Sequence, residues 1–124
     1  MPSSRFARTP EPPYYAVIFS NQRTAGDGGY GSMADRMVEL AAQQPGFLGV
    51  ESTRDAEGMG ITVSYWESEA AIAGWKADVE HAQARNMGRE HWYEHFEVRV
   101  AKVERAYRFD RPVSPPPDEA EHAP

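Results

Sequence analysis

The sequence predicts an α+β domain of the ferredoxin-like type, with the order β-α-β-β-α-β and two helices covering one face of an antiparallel sheet. At 124 residues the chain is long enough for one hydrophobic core and too short for two. Nine of its ten prolines lie within residues 2–13 or 112–124, and only Pro45 lies between them. Proline disrupts helices and strand pairing, so we expect the domain at 13–110, a disordered tail at 1–12 and a disordered, proline-rich acidic tail at 111–124.

The first half of the domain predicts strand, loop, helix and strand. Residues 14–21 are apolar at both odd and even positions, which is typical of a central strand buried on both faces. A glycine-rich loop follows at 24–31, and Ser32 is the predicted N-cap of a helix that ends at Gln44. The apolar positions that indicate this helix are Met33, Met37, Leu40 and Ala41. After Pro45, residues 47–55 predict a second strand.

The second half predicts strand, helix and strand. Residues 61–66 alternate in the manner of a strand, with a turn at 56–58 before them. Ser68 is the predicted cap of a helix that carries Trp75, is restarted at Asp78 and ends near residue 87. Residues 93–109 predict one long strand. Its apolar residues change from even to odd positions, which indicates a β-bulge near Val100 and Ala101.

The two faces of this sheet should meet different partners. Tyr65 and Trp66 are adjacent on one strand, so one must pack under the helices and the other must lie on the opposite face. That opposite face still carries large apolar residues. We therefore expect a homodimer in which two sheets pack face to face, a dimeric α+β barrel.

Composition excludes several classes of function. The net charge is -6 with no basic stripe, so nucleic acid is not an expected partner. The chain has no cysteine, which excludes a thiolate nucleophile and a thiolate metal site. The longest apolar run, residues 14–19, is too short to cross a membrane, and no secretory signal is evident at residues 1–13. We expect a cytoplasmic protein with no membrane partner.

Several short motifs resemble those of the antibiotic biosynthesis monooxygenase (ABM) superfamily of dimeric α+β barrels. They occur in the family's order over residues 14–107, and they are Asn21-Gln22-Arg23, Pro45-Gly46-Phe47, Trp66-Glu67-Ser68, Trp75 and His81-Ala82. Members of that superfamily include cofactor-independent monooxygenases acting on aromatic compounds, haem-degrading monooxygenases and proteins without an established activity. The resemblance therefore implies the fold more strongly than the reaction.

The resemblance to the haem-degrading branch fails at one position. That branch uses an asparagine on the first strand, a tryptophan on the second helix and an iron-ligating histidine ten residues later. Asn21 and Trp75 match, but the third position is Arg85, which cannot ligate iron. His81 lies four residues earlier, displaced by about 6 Å along the helix. We therefore favour a cofactor-free reaction over haem degradation.

The cofactor-free branch implies roles for six residues. An aromatic substrate must be deprotonated in an apolar cavity while a hydrogen-bond donor stabilises the developing oxyanion. We expect catalytic roles for Asn21, Trp75 and His81, and substrate contacts from Tyr65, Trp66 and Arg85. Each has a plainer alternative, such as core packing for Trp75, a turn role for Asn21 and a surface ion pair for Arg85. A non-catalytic dimeric module that holds a small hydrophobic ligand is the alternative for the whole protein.

Two other patterns are weak. His91 and His95 are spaced four apart, but in a strand their side chains would be about 13 Å apart, and no third ligand is evident, so no metal is predicted. The glycine-rich run before Ser32 lacks the lysine of a phosphate-binding loop and carries Asp27. We expect a mobile loop near the cavity mouth instead.

Overall fold

A computed structural model describes residues 5–26, 30–86 and 92–112, without the side chains of residues 30, 32, 33 and 80–86. Within these ranges the predicted β-α-β-β-α-β order and the ferredoxin-like α+β fold are confirmed. The elements are β1 (Tyr14–Arg23), α1 (Tyr30–Gln43), β2 (Phe47–Arg54), β3 (Met59–Trp66), α2 (Glu69–Asn86) and β4 (Tyr93–Val103).

The four strands form one antiparallel sheet in the order β2-β3-β1-β4. β1 is central, as its apolar residues at both parities predict. It pairs with β3 and β4 along most of its length, and Val17, for example, lies between Ser64 and Val100. A central strand cannot lose either neighbour without exposing backbone N–H and C=O groups, so β1 fixes the positions of the other strands.

One face of the sheet, here called the helix face, packs against α1 and α2. Its central cluster joins Val17 and Trp66 of the sheet to Ala41 of α1 and Ile72 of α2, and all four are buried. Trp66 is the largest side chain with no exposed surface. Burial of such side chains provides the main driving force for this layer arrangement.

A second cluster on the helix face lies beside the first. Trp92 and Tyr93 are buried there, just before and at the start of β4. Phe19 of β1 packs edge-on against Tyr93, with ring centroids 5.4 Å apart, and also against Phe96 at 5.6 Å. Two α1 residues complete this cluster, Met37 and Leu40. Met37 and Leu40, two residues of the predicted apolar stripe of α1, therefore pack over β1 and β4.

The β-bulge predicted near Val100 and Ala101 was wrong. Pairing between β1 and β4 is continuous there, and the register shifts between Gln22 and Arg23 instead. Val98 and Val100 lie on the helix face but are 53% and 51% exposed. Because β4 is an edge strand only partly covered by the helices, its apolar residues need not follow a single buried face.

Some predicted boundaries also differ. α1 begins at Tyr30, so Ser32 lies inside the helix and is not its N-cap. α2 is one continuous helix without a restart at Asp78, and β4 ends at Val103, not at residue 109. The predicted cap of α2 is confirmed, since the Ser68 hydroxyl oxygen accepts a hydrogen bond from the Ala71 N–H at 3.1 Å.

The opposite face of the sheet is partly covered by the segment before β1. The Ala7 N–H donates a hydrogen bond to Glu51 Oε2 at 3.0 Å, and a Cβ added at Gly49 would lie 2.8 Å from that of Ala7. Elsewhere on this face Met59 and Ile61 are 42% and 38% exposed. This face therefore keeps an accessible apolar area at the β3 end near Met59.

Candidate functional site

Asn21 is a buried polar side chain on the helix face, only 3% exposed. It lies two residues beyond Phe19 on β1 and therefore points to the same side of the sheet. Backbone pairing places it in one row across all four strands, in the order Arg54, Gly60, Asn21 and Phe96. We call this set the amide row. A buried amide must find hydrogen-bond partners, and here the neighbouring strands supply them.

The Asn21 amide is held at both of its polar atoms. Arg54 Nη2 donates to Asn21 Oδ1 at 2.8 Å, and Asn21 Nδ2 donates to the Gly60 carbonyl oxygen at 3.4 Å. Arg54 is itself anchored, because its Nη1 donates to the Gly58 carbonyl oxygen at 2.6 Å. An amide nitrogen carries two N–H groups, and Gly60 accepts only one of them. The second can serve as a donor to a ligand.

Gly60 makes room for this contact. A Cβ added there would lie 2.6 Å from Arg54 Cζ and 2.7 Å from each terminal nitrogen of the guanidinium. The arginine side chain thus crosses the space that a side chain on β3 would occupy and reaches Asn21 on β1. Arg54 was not among the residues predicted from the sequence. The sequence did contain an indication of this contact. Arg54 and Gly60 are equally far from the centre of the predicted turn, so they pair with each other in a hairpin.

The turn before β3 fixes this pairing. Asp55 Oδ1 accepts hydrogen bonds from the backbone N–H groups of Glu57 at 2.9 Å and Met59 at 3.0 Å. Gly58 adopts a φ of 94°, which favours glycine. The hairpin therefore sets the register that brings Arg54 beside Gly60.

A pair of hydroxyl groups lies next to the amide row. Ser52 Oγ and Thr62 Oγ1 are 2.7 Å apart and directly opposite each other on β2 and β3. The same row continues into apolar residues on β1 and β4, namely Phe19 and Val98. This part of the helix face is therefore polar over β2 and β3 and apolar over β1 and β4.

The two predicted tryptophans lie together at the other end of the helix face. The rings of Trp66 and Trp75 have centroids 5.2 Å apart, and Phe47 packs edge-on against Trp66 at 5.4 Å. Trp75 Nε1 donates to the Met37 carbonyl oxygen at 3.4 Å, and Trp66 Nε1 donates to Ser64 Oγ at 2.9 Å. Trp66 and Trp75 therefore connect the sheet and both helices.

The separation between these two ends is large. Trp66 pairs with Tyr15, which precedes Asn21 on β1 by six residues. At about 3.4 Å per residue, the backbone positions of Asn21 and Tyr15 are about 20 Å apart. The structure brings Trp66 and Trp75 together, whereas the contacts of Asn21 are with Arg54 and Gly60.

Tyr65 lies on the opposite face from Trp66. Its ring packs edge-on against Tyr14, with centroids 5.9 Å apart, and its hydroxyl donates to Glu51 Oε1 at 2.6 Å. Burial, followed by this hydrogen bond to Glu51, raises the pKa of Tyr65 well above the ordinary tyrosine value. Tyr65 therefore remains a neutral hydrogen-bond donor and does not share a face with Asn21.

Four histidine and arginine positions were also named from the sequence, and the structure describes them only in part. His81 and Arg85 belong to α2, but their side chains lie outside the described part of the chain, as does all of His91. His95 is exposed on β4 and lies 3.1 Å from Glu97 Oε2. Its hydrogen bond, followed by the charge of Arg99, lowers the pKa of Glu97.

Neither a metal-binding cluster nor a membrane-spanning helix occurs in the described part of the chain. Among the side chains that the structure describes, no three His, Asp or Glu residues are grouped as metal ligands. No helix within residues 5–26, 30–86 and 92–112 has the length and apolar character to span a bilayer. A groove of about 410 Å³ lies between the α1–β2 turn at Gly46 and the start of α2 at Ala71, and none of the predicted site residues line it.

Comparisons with known proteins agree with this architecture. The chain is 60% identical over 103 residues to the uncharacterized protein YqjZ of Bacillus subtilis (strain 168), covering 83% of this chain and 90% of that protein. Among solved structures, SnoaB of Streptomyces nogalater, a cofactor-independent oxygenase, superposes with a TM-score of 0.63 at 13% identity, covering 77% of this chain and 97% of that one. PA3566 of Pseudomonas aeruginosa superposes with a TM-score of 0.59 at 14% identity, covering 78% and 98%. At these identities the structural likeness concerns the fold.

The family is established by sequence. The family model described as "Antibiotic biosynthesis monooxygenase" matches residues 15–87, which is more than half of the chain. This segment runs from the second residue of β1 through the whole of α2. The chain belongs to the antibiotic biosynthesis monooxygenase family.

Proposed function

We propose that the protein is a cofactor-independent monooxygenase that oxidises a small aromatic or quinol-like compound in a pocket between the sheet and the helices. The observation that carries this proposal is the buried Asn21 amide, held at Oδ1 by Arg54 with a donor hydrogen remaining on Nδ2. A fixed, buried donor stabilises a developing oxyanion because it needs no reorganisation during the reaction.

The proposed reaction needs no external reductant. In an anthrone-type substrate, the activated methylene group between two aromatic rings loses a proton, and the resulting carbanion passes one electron to dioxygen. The radical pair combines to form a C–O bond, the peroxide anion takes back the proton, and the hydroperoxide then loses water to give a carbonyl group. Methylene plus O2 thus gives carbonyl plus water, with one oxygen atom in each product. The substrate provides all the electrons.

The polarity of the helix face supports a substrate with oxygen atoms on one edge. The Ser52 and Thr62 hydroxyls lie on β2 and β3 and the Asn21 amide lies on β1, whereas Phe19 of β1 and Phe96 of β4 present apolar rings beside them. A phenol or quinol combines a flat apolar ring with polar substituents. Such a molecule would satisfy both halves of the surface.

The other predicted residues are given roles within the same proposal. Trp75 provides an aromatic wall, His81 accepts or returns the proton, and Arg85 binds an anionic substituent. A histidine pKa lies near the working pH, which suits proton transfer. Tyr65 lies on the opposite face, where its hydroxyl donates a hydrogen bond to Glu51. Trp66 supports Trp75 through their ring contact.

We also propose that the protein is a homodimer formed through the opposite face. The partial exposure of Met59 and Ile61 on neighbouring rows of that face supports a second copy there. Sedimentation at micromolar concentration should show twice the protomer mass, and Ile61→Glu should shift the equilibrium toward protomers by burying a charge. A stable single protomer of the unaltered chain would refute the dimer.

One observation favours a second candidate, a non-catalytic module that holds a small hydrophobic ligand. Trp75 is packed against Trp66 and hydrogen-bonded to the Met37 carbonyl oxygen, which is how a core tryptophan is satisfied. A residue in that role stabilises the fold whether or not the protein turns over a substrate.

Oxygen uptake distinguishes the two candidates. Protein freed of metal by chelation is mixed with a panel of anthrones and hydroquinones in an oxygen electrode. We expect uptake by the unaltered protein, a loss of about 100-fold in Asn21→Ala, as for removal of an oxyanion donor, and near-normal uptake in Gln22→Ala on the other side of the same strand. Uptake no greater than that of Asn21→Ala across the panel would leave the non-catalytic module as the function.

The haem-degrading alternative has its own test. Titration with haemin should give only the broad absorbance of non-specific association, because Arg85 occupies the position of the ligating histidine. A sharp Soret band at unit stoichiometry that disappears in His81→Ala would overturn the cofactor-free proposal.

A further inference from the structure

We infer that Arg54 is a positioning residue that fixes the orientation of the Asn21 amide toward the substrate oxygen. This inference rests on the proposed function, in which Asn21 is the oxyanion donor. Arg54 belongs to β2 and acts across β3 on a residue of β1. It carries out no chemical step itself.

The chemistry of the two side chains determines the orientation. An asparagine amide can rotate by half a turn about its last bond, which exchanges the oxygen and the nitrogen. A guanidinium has only donors, so it accepts no hydrogen bond from an amide nitrogen. With Arg54 Nη2 2.8 Å from Asn21 Oδ1, the flipped amide would bring two donors together. Nδ2 must therefore face the Gly60 carbonyl oxygen and the adjoining part of the helix face.

The positive charge of Arg54 acts in the same direction. A guanidinium hydrogen-bonded to an amide oxygen draws electron density from the amide nitrogen and strengthens its N–H groups as donors. The Arg54 side chain is exposed overall, so solvent and salt screen its direct charge interaction with a substrate anion. Arg54 therefore contributes more by orienting the Asn21 amide than by its charge.

Gly60 provides a way to break this contact while both partners remain. A methyl group at Gly60 would meet the guanidinium at 2.6–2.7 Å, and the end of an arginine side chain yields more easily than the strand backbone. Gly60 has no positive φ, so alanine fits the strand conformation itself. Gly60→Ala should therefore push Arg54 away from Asn21 without removing either residue.

The experiment compares four variants by kinetics and by nuclear magnetic resonance. Arg54→Met and Gly60→Ala both remove the contact, and Arg54→Lys keeps a cationic donor. Arg36→Met is the control, because Arg36 is exposed on α1 and pairs there with Glu39, which is also exposed. We expect kcat for oxygen uptake to fall about 10- to 100-fold in the first two with little change in KM, since misplacing a catalytic group costs rate. Arg54→Lys should be intermediate and the control unchanged.

The magnetic resonance measurement does not depend on turnover. The side-chain NH2 signals of Asn21, assigned by their loss in Asn21→Ala, should move in Arg54→Met and Gly60→Ala and stay in place in Arg36→Met. If the unaltered protein consumes no oxygen while these signals move as expected, the proposed function fails and the positioning role stands. Unmoved Asn21 signals in both variants, or a kcat within twofold of the unaltered protein's, would overturn the inference.

Discussion

The two ends of the helix face differ in how their buried side chains are stabilised. The end around Trp66, here called the tryptophan end, packs aromatic rings against both helices, and Trp66 has no exposed surface. The amide row at the other end buries Asn21 just as thoroughly, but surrounds it with Arg54 and the backbone of Gly60. One sheet face thus has an apolar end and a polar end about 20 Å apart along β1.

We expect the tryptophan end to contribute mainly to stability and the amide row mainly to the geometry of the proposed site. Apolar packing is non-directional and tolerates small displacements, so the tryptophan end secures the layers against each other. A buried amide is costly unless each polar atom is satisfied in a defined direction. The amide row therefore constrains geometry more than it adds stability, which agrees with the donor role proposed for Asn21.

The largest effect should come from truncating the tryptophan end. Trp66→Ala removes the central ring between Phe47 and Trp75, and should lower the free energy of unfolding by about 3–5 kcal/mol, through lost burial and the cavity left behind. Urea denaturation followed by circular dichroism measures this change. A loss below about 1 kcal/mol would show that other contacts hold the helices against the sheet.

Truncating the amide row should cost less stability and more activity. Asn21→Ala leaves the Arg54 donor and the Gly60 carbonyl without their amide partner, which should lower the free energy of unfolding by about 1–3 kcal/mol. Gln22→Ala, the matched amide on the same strand, loses the 2.8 Å bond to the Glu57 carbonyl oxygen, with about 1 kcal/mol expected. If Asn21→Ala destabilised the protein as much as Trp66→Ala, the distinction between the two ends would be lost.

Trp75→Phe sharpens the assignment of Trp75 to the tryptophan end. Phenylalanine keeps an aromatic ring beside Trp66 but cannot donate to the Met37 carbonyl oxygen, so we expect about 1 kcal/mol less stability. Thermal and urea denaturation measure the loss. Oxygen uptake that stays within about tenfold would agree with Trp75 as a wall. A complete loss of uptake with unchanged stability would instead assign Trp75 a direct chemical role.

The smallest effect concerns Tyr65 on the opposite face. Its pKa is raised from an ordinary value of 10.0, so the folded state favours the protonated phenol. The resulting stability is fully present below pH 10 and is lost as the pH rises through the range above it. The melting temperature should fall more steeply above pH 10 in the unaltered protein than in Tyr65→Phe. Equal slopes would show that neither the burial of the Tyr65 phenol nor its hydrogen bond to Glu51 persists in solution.

The sequence predicted the features that depend on local pattern. Residues 14–21 indicated a central strand because they are apolar on both sides, and Ser68 indicated the start of α2 because its hydroxyl caps that helix. Asn21 is buried on the helix face, and its role as a donor stays a prediction. Each of these depends on periodicity or on residues close in the chain.

The features that failed depend on contacts between distant strands. Arg54 was overlooked because an arginine at the end of a strand usually points to solvent, and only the register with Gly60 directs it to Asn21. The bulge at Val100 was wrong because an edge strand can leave apolar residues half exposed. The grouping of the tryptophans with Asn21 in one pocket stays a prediction, and strand pairing places Trp66 level with Tyr15, about 20 Å from Asn21 along β1.

We propose that the Asn21 end of the helix face is the site of a cofactor-free oxygenation. The most direct test is incubation of metal-free protein with an anthrone under 18O2, followed by mass spectrometry of the product. We expect one 18O atom per anthraquinone molecule, in the newly formed carbonyl group, at a rate well above that of spontaneous oxidation. This rate should be retained in Gln22→Ala and lost in Asn21→Ala. Label incorporation at the same rate in the unaltered protein and in Asn21→Ala would refute a catalytic site at Asn21.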